Sequence, residues 1–247
     1  MPKVLSLVGA KGGTLKTSSV TAIAHLAAKG GLHVVMVDAD PQADLTSRSG
    51  FSRVAEPLAA DPVTVTFGSE HSLPLQLLRG GRSMEGADLS SAMRQIERAR
   101  ALGPDLVVVD TPPALGPITT AAVRGSDLVL IPAVPGKESL ERINDIASLA
   151  RGAATAVQLR VLLTLVHRRS NLLAWMQEEV DRHYPGLRMD RTFPFEMAAG
   201  EAAVYEKPVT IYAPRSSNAA EFCDLVREVL AMLGLARVGL RPAGGGL

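Results

Sequence analysis

The stretch AKGGTLKTS, residues 10–18, follows a short apolar run, VLSLV at residues 4–8, with only Gly9 between them. A strand that leads through a glycine-containing loop into a helix presents a row of backbone N–H groups at the helix N-terminus, where they attract anions. Gly12 and Gly13 let the backbone approach a phosphate closely. Lys16 can then reach the β- and γ-phosphates, and the Thr17 hydroxyl can bind magnesium. The stretch therefore predicts a phosphate-binding loop.

This loop departs from the usual pattern G-x-x-x-x-G-K-[ST] at both glycines, where Ala10 and Leu15 stand. Phosphate recognition uses backbone N–H groups, and Leu15 keeps its own. A leucine is strained by about 1–2 kcal/mol if the position needs a positive φ, and it is acceptable if residue 15 already lies in the first helical turn. We expect the second conformation, in which the loop still binds a phosphate.

The composition is that of a folded globular protein. The chain has 247 residues, of which 47% are hydrophobic and 21% charged, and its formal net charge is +1. Such a chain can bury a large core within one domain. The near-zero net charge excludes a general polycation, so any attraction to nucleic acid must come from a local patch.

The cysteine content favours a reducing compartment, and the lengths of the apolar runs argue against a membrane span. Cys223 is the only cysteine, so an internal disulfide is excluded, and no Cys/His cluster has zinc spacing. We find no leader-like segment, and no apolar run approaches the roughly 18 residues of a membrane span. We therefore expect a soluble, unprocessed cytoplasmic protein.

Apolar runs alternate with amphipathic stretches along the chain. Strands are predicted at residues 3–8, 33–37, 106–109, 128–134 and 159–166, and helices at 17–29, 91–102, 138–151 and 172–183. The strands are apolar on both faces, as in a parallel sheet covered by helices on both sides. The pattern predicts an α/β fold: a single, doubly wound, mostly parallel sheet with helices on both faces.

The C-terminal part of the chain predicts one more helix. It begins near Ser216 or Ser217, either of which can cap it, and its apolar positions repeat every three to four residues. Cys223 lies on this apolar stripe, which indicates a small buried side chain rather than a reactive thiol. Residues 50–86, rich in Pro, Gly and Ser, give no clear prediction.

Three aspartates stand at or after predicted strand ends. Asp38 and Asp40 follow the second strand in the run DADPQ, and Asp110 ends the strand LVVVD before TPP. The carboxyl ends of parallel strands meet at one edge of a sheet, so these side chains should face the bound phosphates. Asp110 can hold magnesium directly or through water.

Four motifs in this order resemble the ParA/MinD family of P-loop ATPases with a deviant Walker A loop, and within it the ParA or Soj type. They are the loop KGGTLKT at residues 11–17, DADPQ at 38–42, DTPP at 110–113 and KPVTIYAPRS at 207–216. The resemblance extends from about residue 2 to residue 235. We expect a ParA-like P-loop ATPase domain at residues 1–236 and a flexible tail at 237–247.

The resemblance implies a dimerising ATPase with ATP, ADP and Mg²⁺ as ligands. It implies that Lys11 reaches across a two-fold interface to the partner's phosphates, and that Asp40 positions the attacking water. The expected catalytic residues are Lys11, Lys16 and Asp40, and the expected metal-binding residues are Thr17, Asp40 and Asp110. The expected nucleotide-binding residues are Lys11, Gly12, Gly13, Thr14, Leu15, Lys16, Thr17 and Ser18, with Thr164 and Pro214 near the adenine.

The resemblance also implies non-specific DNA binding by the ATP dimer, a ParB-like stimulating partner, and localisation at the nucleoid. Residues 151–191 contain seven arginines and four acids, an excess of positive charge that suits a phosphate backbone. Our candidates for DNA contacts are Arg168, Arg169, Arg191 and Arg215. Because the chain opens on the nucleotide-binding strand, we expect no N-terminal helix-turn-helix.

Two other classes share this fold. A MinD-like membrane-cycling ATPase needs a basic amphipathic C-terminal helix, and residues 233–247 offer only Arg237 and Arg241, interrupted by Pro242 and glycines. An ATP-dependent ligase acting on a small molecule has no evident use for Lys11. We therefore favour a partition ATPase that drives plasmid or chromosome segregation without binding a membrane.

Overall fold

One twisted sheet forms the centre of the molecule. The computed structural model describes residues 1–9, 11–57, 59–67, 73–154, 156–167 and 169–235. The strands in these residues are β1 (Lys3–Leu7), β2 (Val34–Asp38), β3 (Val63–Thr64), β4 (Leu75–Leu78), β5 (Leu106–Asp110), β6 (Leu128–Ala133), β7 (Gln158–Val166) and β8 (Arg188–Pro194). The predicted tail at 237–247 lies outside the described residues.

The strand order is β3-β4-β2-β5-β1-β6-β7-β8. All neighbouring pairs are parallel except β3 and β4. The register places Leu7 beside Asp110 and Asp38 beside Asp110, so three strand ends meet at one edge. The phosphate loop, which follows β1, therefore opens directly above the two aspartates.

Helices cover both faces of this sheet. They are α1 (Lys16–Lys29), α2 (Asp44–Arg48), α3 (Leu89–Ala101), α4 (Pro117–Arg124), α5 (Lys137–Arg151), α6 (Asn171–His183), α7 (Met197–Val204), α8 (Val209–Tyr212) and α9 (Ser217–Met232), with a 3₁₀ turn at Arg82–Gly86. Leu5 and Leu7 of β1 pack on the face of α1 and α9, and Val4 packs on the face of α3 and α4. This alternation confirms the predicted doubly wound fold.

The last helix begins where its capping residue predicts. The Ser216 hydroxyl accepts a hydrogen bond from the Ala219 N–H at 3.1 Å and satisfies a free donor of the first turn of α9. Cys223 is buried on the inner face of this helix, as predicted. Within the described residues, no helix has both the length and the apolar character needed to span a membrane.

Three strands escape sequence-based prediction. The short strands β3 and β4 lie in the Pro- and Gly-rich segment that gave no signal. Strand β8 lies at the edge of the sheet and carries Arg188, Asp190 and Arg191, and only its Met189 and Phe193 are buried. The sheet is therefore larger than the five predicted strands.

A pair of aromatic rings joins β8 to α9, and its loss should destabilise the fold. Phe193 and Phe222 are both fully buried, with ring centroids 4.4 Å apart. We expect Phe222→Ala to lower the free energy of unfolding by about 3–5 kcal/mol because it leaves a cavity. Phe195→Ala is the control, because the Phe195 ring is 54% exposed. Equal losses in urea denaturation for the two variants would contradict this packing.

Candidate functional site

The phosphate loop connects β1 to α1 as its sequence predicts. Gly13 has a φ of +76°, in the left-handed region that favours glycine. The Lys16 side chain folds back over Gly9, where a Cβ atom would lie 3.3 Å from the lysine Cδ. Gly9 was not predicted as a site residue, and its lack of a side chain gives Lys16 its path across the loop.

The conformation of Leu15 differs from our expectation. Its φ and ψ are 63° and 17°, so it lies in the left-handed region as the N-cap of α1 and not in the first helical turn. A leucine in this conformation is strained by about 1–2 kcal/mol. Its side chain is half-buried and packs against the core on the α1 face. Packing therefore holds in place a backbone conformation that suits glycine better.

A buried network fixes the start of α1 to the end of β5. Lys16 forms an ion pair and hydrogen bond with Asp110 Oδ1, and the Thr17 hydroxyl donates to Asp110 Oδ2 at 2.7 Å. Asp110 is fully buried, and the Lys16 side chain is only 8% exposed. A buried carboxylate needs such partners, since an unpaired charge is costly away from water. Lys16 and Thr17 therefore separate Asp110 from the solvent.

Asp40 lies close to this network and faces the cavity above the loop. Its Oδ1 accepts a hydrogen bond from the Gln42 N–H at 2.9 Å, which orients the carboxylate. Burial raises the pKa of Asp40, while the Gln42 N–H and the nearby Lys16 charge oppose the increase. The Asp40 carboxylate is therefore held in a fixed orientation beside the phosphate loop, and its pKa is higher than that of an exposed aspartate.

Asp38 has a structural role behind the site. Its Oδ2 accepts hydrogen bonds from the Thr46 backbone N–H at 2.7 Å and the Thr46 hydroxyl at 2.6 Å. The Thr46 hydroxyl accepts in turn from the Gly80 N–H. A Cβ on Gly80 would lie 2.8 Å from Asp38 Cγ, so only glycine fits there. Asp38 therefore ties β2 to α2 and to the end of β4.

Lys11 occupies a different environment from Lys16. Its ammonium group lies 3.2 Å from Glu138 at the start of α5, and the two side chains are 67% and 81% exposed. Exposed pairs of this kind contribute about 0–1 kcal/mol. Lys11 lies at the edge of the cavity and is free to leave this partner at little cost.

The site is a cavity of about 640 Å³ between the phosphate loop and α7. Every predicted loop residue from Lys11 to Ser18 lines it, and Asp40 does as well. The opposite wall is largely apolar and consists of Phe195, Glu196, Met197, Ala199, Gly200, Glu201, Ala203 and Val204. The Glu196 carboxylate accepts from the Ser217 and Asn218 N–H groups, and so connects this wall to the N-terminus of α9.

The two residues expected near the adenine are not among those that line this cavity. Thr164 is buried below the loop, and its hydroxyl donates to the Thr14 carbonyl at 3.2 Å, so it supports the loop from β7. Its neighbour Leu165, with a φ of 54° in an irregular part of β7, lines the cavity instead. Pro214 is exposed and is not among the lining residues.

The four arginine candidates for DNA contacts separate into different environments. Arg169 and Arg215 are exposed, and both follow or adjoin the carboxyl edge of the sheet. Arg191 is surrounded by acidic residues of α9, with Glu221 at 3.2 Å and Glu228 at 3.1 Å. Its charge is neutralised within the molecule. Arg168 lies outside the described residues.

The donor set fits a magnesium ion that binds together with a nucleotide. Among the described residues, no group of three or more His, Cys, Asp or Glu side chains is arranged to hold a metal by itself. Mg²⁺ at phosphate sites commonly takes one or two protein oxygens, water and substrate phosphates. Thr17 and Asp40 line the cavity, and Asp110 lies directly behind Thr17. These oxygens suit that mode of binding.

Several lining residues were not predicted as site residues. They are Gln42, Asp44, Arg48, Pro113, Leu165 and the wall from Phe195 to Val204. Gln42 and Pro113 belong to motifs already quoted, DADPQ and DTPP. Asp44, Arg48 and the wall meet the loop only through the tertiary fold, because α2 and α7 were not predicted, and Leu165 lies in a predicted strand but carried no site motif.

A matched pair of variants tests the backbone conformation at residue 15. Leu15→Gly and Leu15→Ala both remove the side-chain packing, so their difference isolates the backbone. We expect the glycine variant to be more stable than the alanine variant by about 1 kcal/mol, because alanine is strained at a φ of 63°. If residue 15 lay in a helical turn, the alanine variant would instead be the more stable one by a similar amount. Urea denaturation without nucleotide measures the difference in the free energy of unfolding between the two variants. A more stable alanine variant would contradict the structure.

The pH dependence of stability tests the environment of Asp38. Burial, reinforced by the neighbouring Asp110 carboxylate, raises its pKa from 3.8 to about 7. Between these values the folded protein keeps a proton that the unfolded chain has lost. The free energy of unfolding therefore falls as pH rises from about 4 to about 7.

We expect Asp38→Asn to remove roughly 2–4 kcal/mol of this decrease. The measurement is urea denaturation of the nucleotide-free protein at a series of pH values. Asp61→Asn, at an exposed position, is the control and should follow the native profile. A profile of Asp38→Asn parallel to the native one would show that Asp38 titrates normally.

The matches to known proteins agree with this geometry. The family model of the CobQ/CobB/MinD/ParA nucleotide binding domain matches residues 5–209. The sporulation initiation inhibitor protein Soj of Bacillus subtilis is 28% identical over 251 residues, covering 94% of this chain and 99% of Soj. The chromosome partitioning protein ParA of Caulobacter vibrioides is 25% identical over 251 residues, covering 93% and 94%.

A solved structure shows the same fold. The septum site-determining protein MinD of Pyrococcus horikoshii, complexed with Mg-ADP, superimposes with a TM-score of 0.79 at 20% identity and covers 96% of this chain and 99% of its own. The matched family region contains the phosphate loop, the strand ends with Asp38 and Asp110, and the α7 wall. The chain therefore belongs to the CobQ/CobB/MinD/ParA nucleotide-binding domain family, as its motifs predicted.

Proposed function

We propose that this chain is an ATP-dependent partition ATPase, which dimerises on ATP, binds DNA non-specifically and helps to segregate a plasmid or chromosome. The observation that carries the proposal is the difference in environment between two lysines of the phosphate loop. Lys16 is buried against Asp110 within its own subunit, whereas Lys11 is exposed at the edge of the same cavity. Lys16 is placed to bind the phosphates of a nucleotide in its own subunit, and Lys11 is placed to contact a second subunit.

Nucleotide binding follows from the loop. The α1 N-terminus and the loop N–H groups receive the phosphates, and Lys16 exchanges Asp110 for the β- and γ-phosphates. Magnesium, when bound near Thr17, neutralises charge that develops on the transferred phosphoryl group. Asp40, held by the Gln42 N–H, orients the attacking water. The chain is thus an ATPase that uses hydrolysis as a switch.

Dimerisation is supported by the surface around the cavity. Phe195, Met197 and Val204 lie on its outer wall and are 54%, 69% and 80% exposed. Exposed apolar residues grouped at one place often mark an association surface. A second subunit that covers them would bring its own Lys11 toward the phosphates, where a second positive charge accelerates phosphoryl transfer.

DNA binding is assigned to the exposed arginines at the carboxyl edge of the sheet. Arg169 and Arg215 are exposed there, and Arg168 remains a candidate by its position in the sequence. Arg191 is withdrawn from this set because α9 neutralises it. A surface of this kind binds phosphate backbones without reading bases and weakens as salt increases.

The cellular role follows the partition relatives. Soj and ParA are named for sporulation control and chromosome partitioning in their own organisms. By analogy we place this chain in the cytoplasm at the nucleoid, where a ParB-like DNA-binding partner stimulates its slow ATP hydrolysis.

A lysine pair tests the dimer. We expect Lys11→Ala to bind ATP with near-native affinity but to remain monomeric and to lose at least about tenfold in turnover, because the outward-reaching charge is missing. Lys137→Ala is the control, since Lys137 is exposed beside the same α5 N-terminus. Light scattering with ATP and a phosphate-release assay give both readouts. ATP-dependent dimers and full turnover of Lys11→Ala would exclude this role.

A gel shift tests the DNA surface. We expect native protein to shift a non-specific duplex with ATP or a slowly hydrolysed analogue, and not with ADP or without nucleotide. The double variant Arg169→Glu with Arg215→Glu should lose the shift but keep ATP binding. Arg182→Glu is the control, because Arg182 is 64% exposed at the far end of α6. A native shift by the double variant excludes this surface, and flotation with liposomes in place of a DNA shift excludes the partition role.

A further inference from the structure

One positively charged side chain in the cavity has no role in the scheme above. Arg48, in the last turn of α2, lines the same cavity as the phosphate loop. It also lines a narrow pocket that continues between Ser18 and α7. Arg48 therefore lies at the junction of the phosphate loop and the opposite wall.

The guanidinium of Arg48 has unused hydrogen-bonding capacity. Its Nη1 donates to the Ser18 hydroxyl at 3.2 Å, and within the described part of the chain this hydroxyl is its one hydrogen-bond or ion-pair partner. The other two cations of the cavity, Lys11 and Lys16, each have a carboxylate partner. A guanidinium has five N–H donors, so most of those on Arg48 remain available.

The position of Ser18 shows which part of a nucleotide lies near Arg48. Ser18 is in the first turn of α1, whose free N–H groups attract phosphate. The Thr17 hydroxyl points to Asp110, whereas the Ser18 hydroxyl is oriented to Arg48. The two hydroxyls therefore face different flanks of the helix N-terminus, and Arg48 lies on the flank away from Asp110.

We propose that Arg48 is a further nucleotide-binding residue, which forms charge-assisted hydrogen bonds to a phosphate that ATP and ADP share. The terminal phosphate belongs to the Lys16 and Asp40 side of the cavity, where hydrolysis occurs. Arg48 holds the phosphate chain on the Ser18 side. Its planar fork fits two phosphate oxygens, which a lysine cannot match. The proposal rests on the proposed binding of ATP in this cavity, but not on dimerisation or DNA.

The test compares Arg48→Gln and Arg48→Lys with native protein by titration with fluorescent ATP and ADP analogues. We expect Arg48→Gln to weaken both nucleotides by the same factor, about ten- to a hundredfold. Arg48→Lys, which keeps the positive charge and the packing of the aliphatic part of the side chain, should lose less nucleotide affinity. Arg53→Gln, an exposed arginine beyond α2, is the control.

The outcomes separate a direct contact from a structural one. Competition by adenosine, which has no phosphate, and the melting temperature without nucleotide should be unchanged in Arg48→Gln, or in Arg48→Lys if the glutamine variant does not fold. Near-native affinity for both nucleotides overturns the proposal. A loss confined to ATP, or an equal loss of adenosine binding, overturns it as well. If native protein binds neither nucleotide, the proposed function itself fails.

Discussion

The buried carboxylate of Asp110 is the constraint on which the site depends. It ends β5, accepts from the Thr17 hydroxyl and pairs with Lys16, so it fixes the first turn of α1 over the centre of the sheet. A fully buried anion is tolerated only with such partners. In the proposed mechanism a nucleotide phosphate draws Lys16 away from Asp110, and a magnesium ion bound near Thr17 would give this carboxylate another cation. Nucleotide and metal binding would then be coupled through Asp110.

The loop above this network holds strain that its surroundings maintain. Leu15 and Leu165 both have positive φ values and both line the cavity. Thr164, next to Leu165, holds the Thr14 carbonyl and so supports the loop next to Leu15. Backbone strain of this kind concentrates at functional sites, where surrounding packing keeps it in place. The leucine that replaces a glycine therefore changes the energy of the loop while its N–H groups remain available.

Sequence reasoning succeeded where local chemistry decides structure. The five apolar strands, the Ser216 cap and the positions of Lys16, Thr17 and Asp110 follow from residue type and spacing. It failed at Leu15, because a loop that still binds phosphate was expected to be unstrained, whereas the folded chain holds this residue in the left-handed region. It also missed Arg48 and the α7 wall, since only the folded chain brings them to the loop. Arg191 looked available in sequence, but α9 supplies three acidic neighbours.

In the proposed mechanism, the Lys16 side chain changes its partner from Asp110 to a nucleotide phosphate. Calorimetric titration of Mg-ATP into native protein and into Lys16→Gln tests it most directly. Because the glutamine removes the charge that pairs with Asp110, circular dichroism first checks that the variant is folded. We expect measurable binding to native protein and a loss of affinity of about a hundredfold or more in the variant. Equal affinity of the two proteins for Mg-ATP would contradict it.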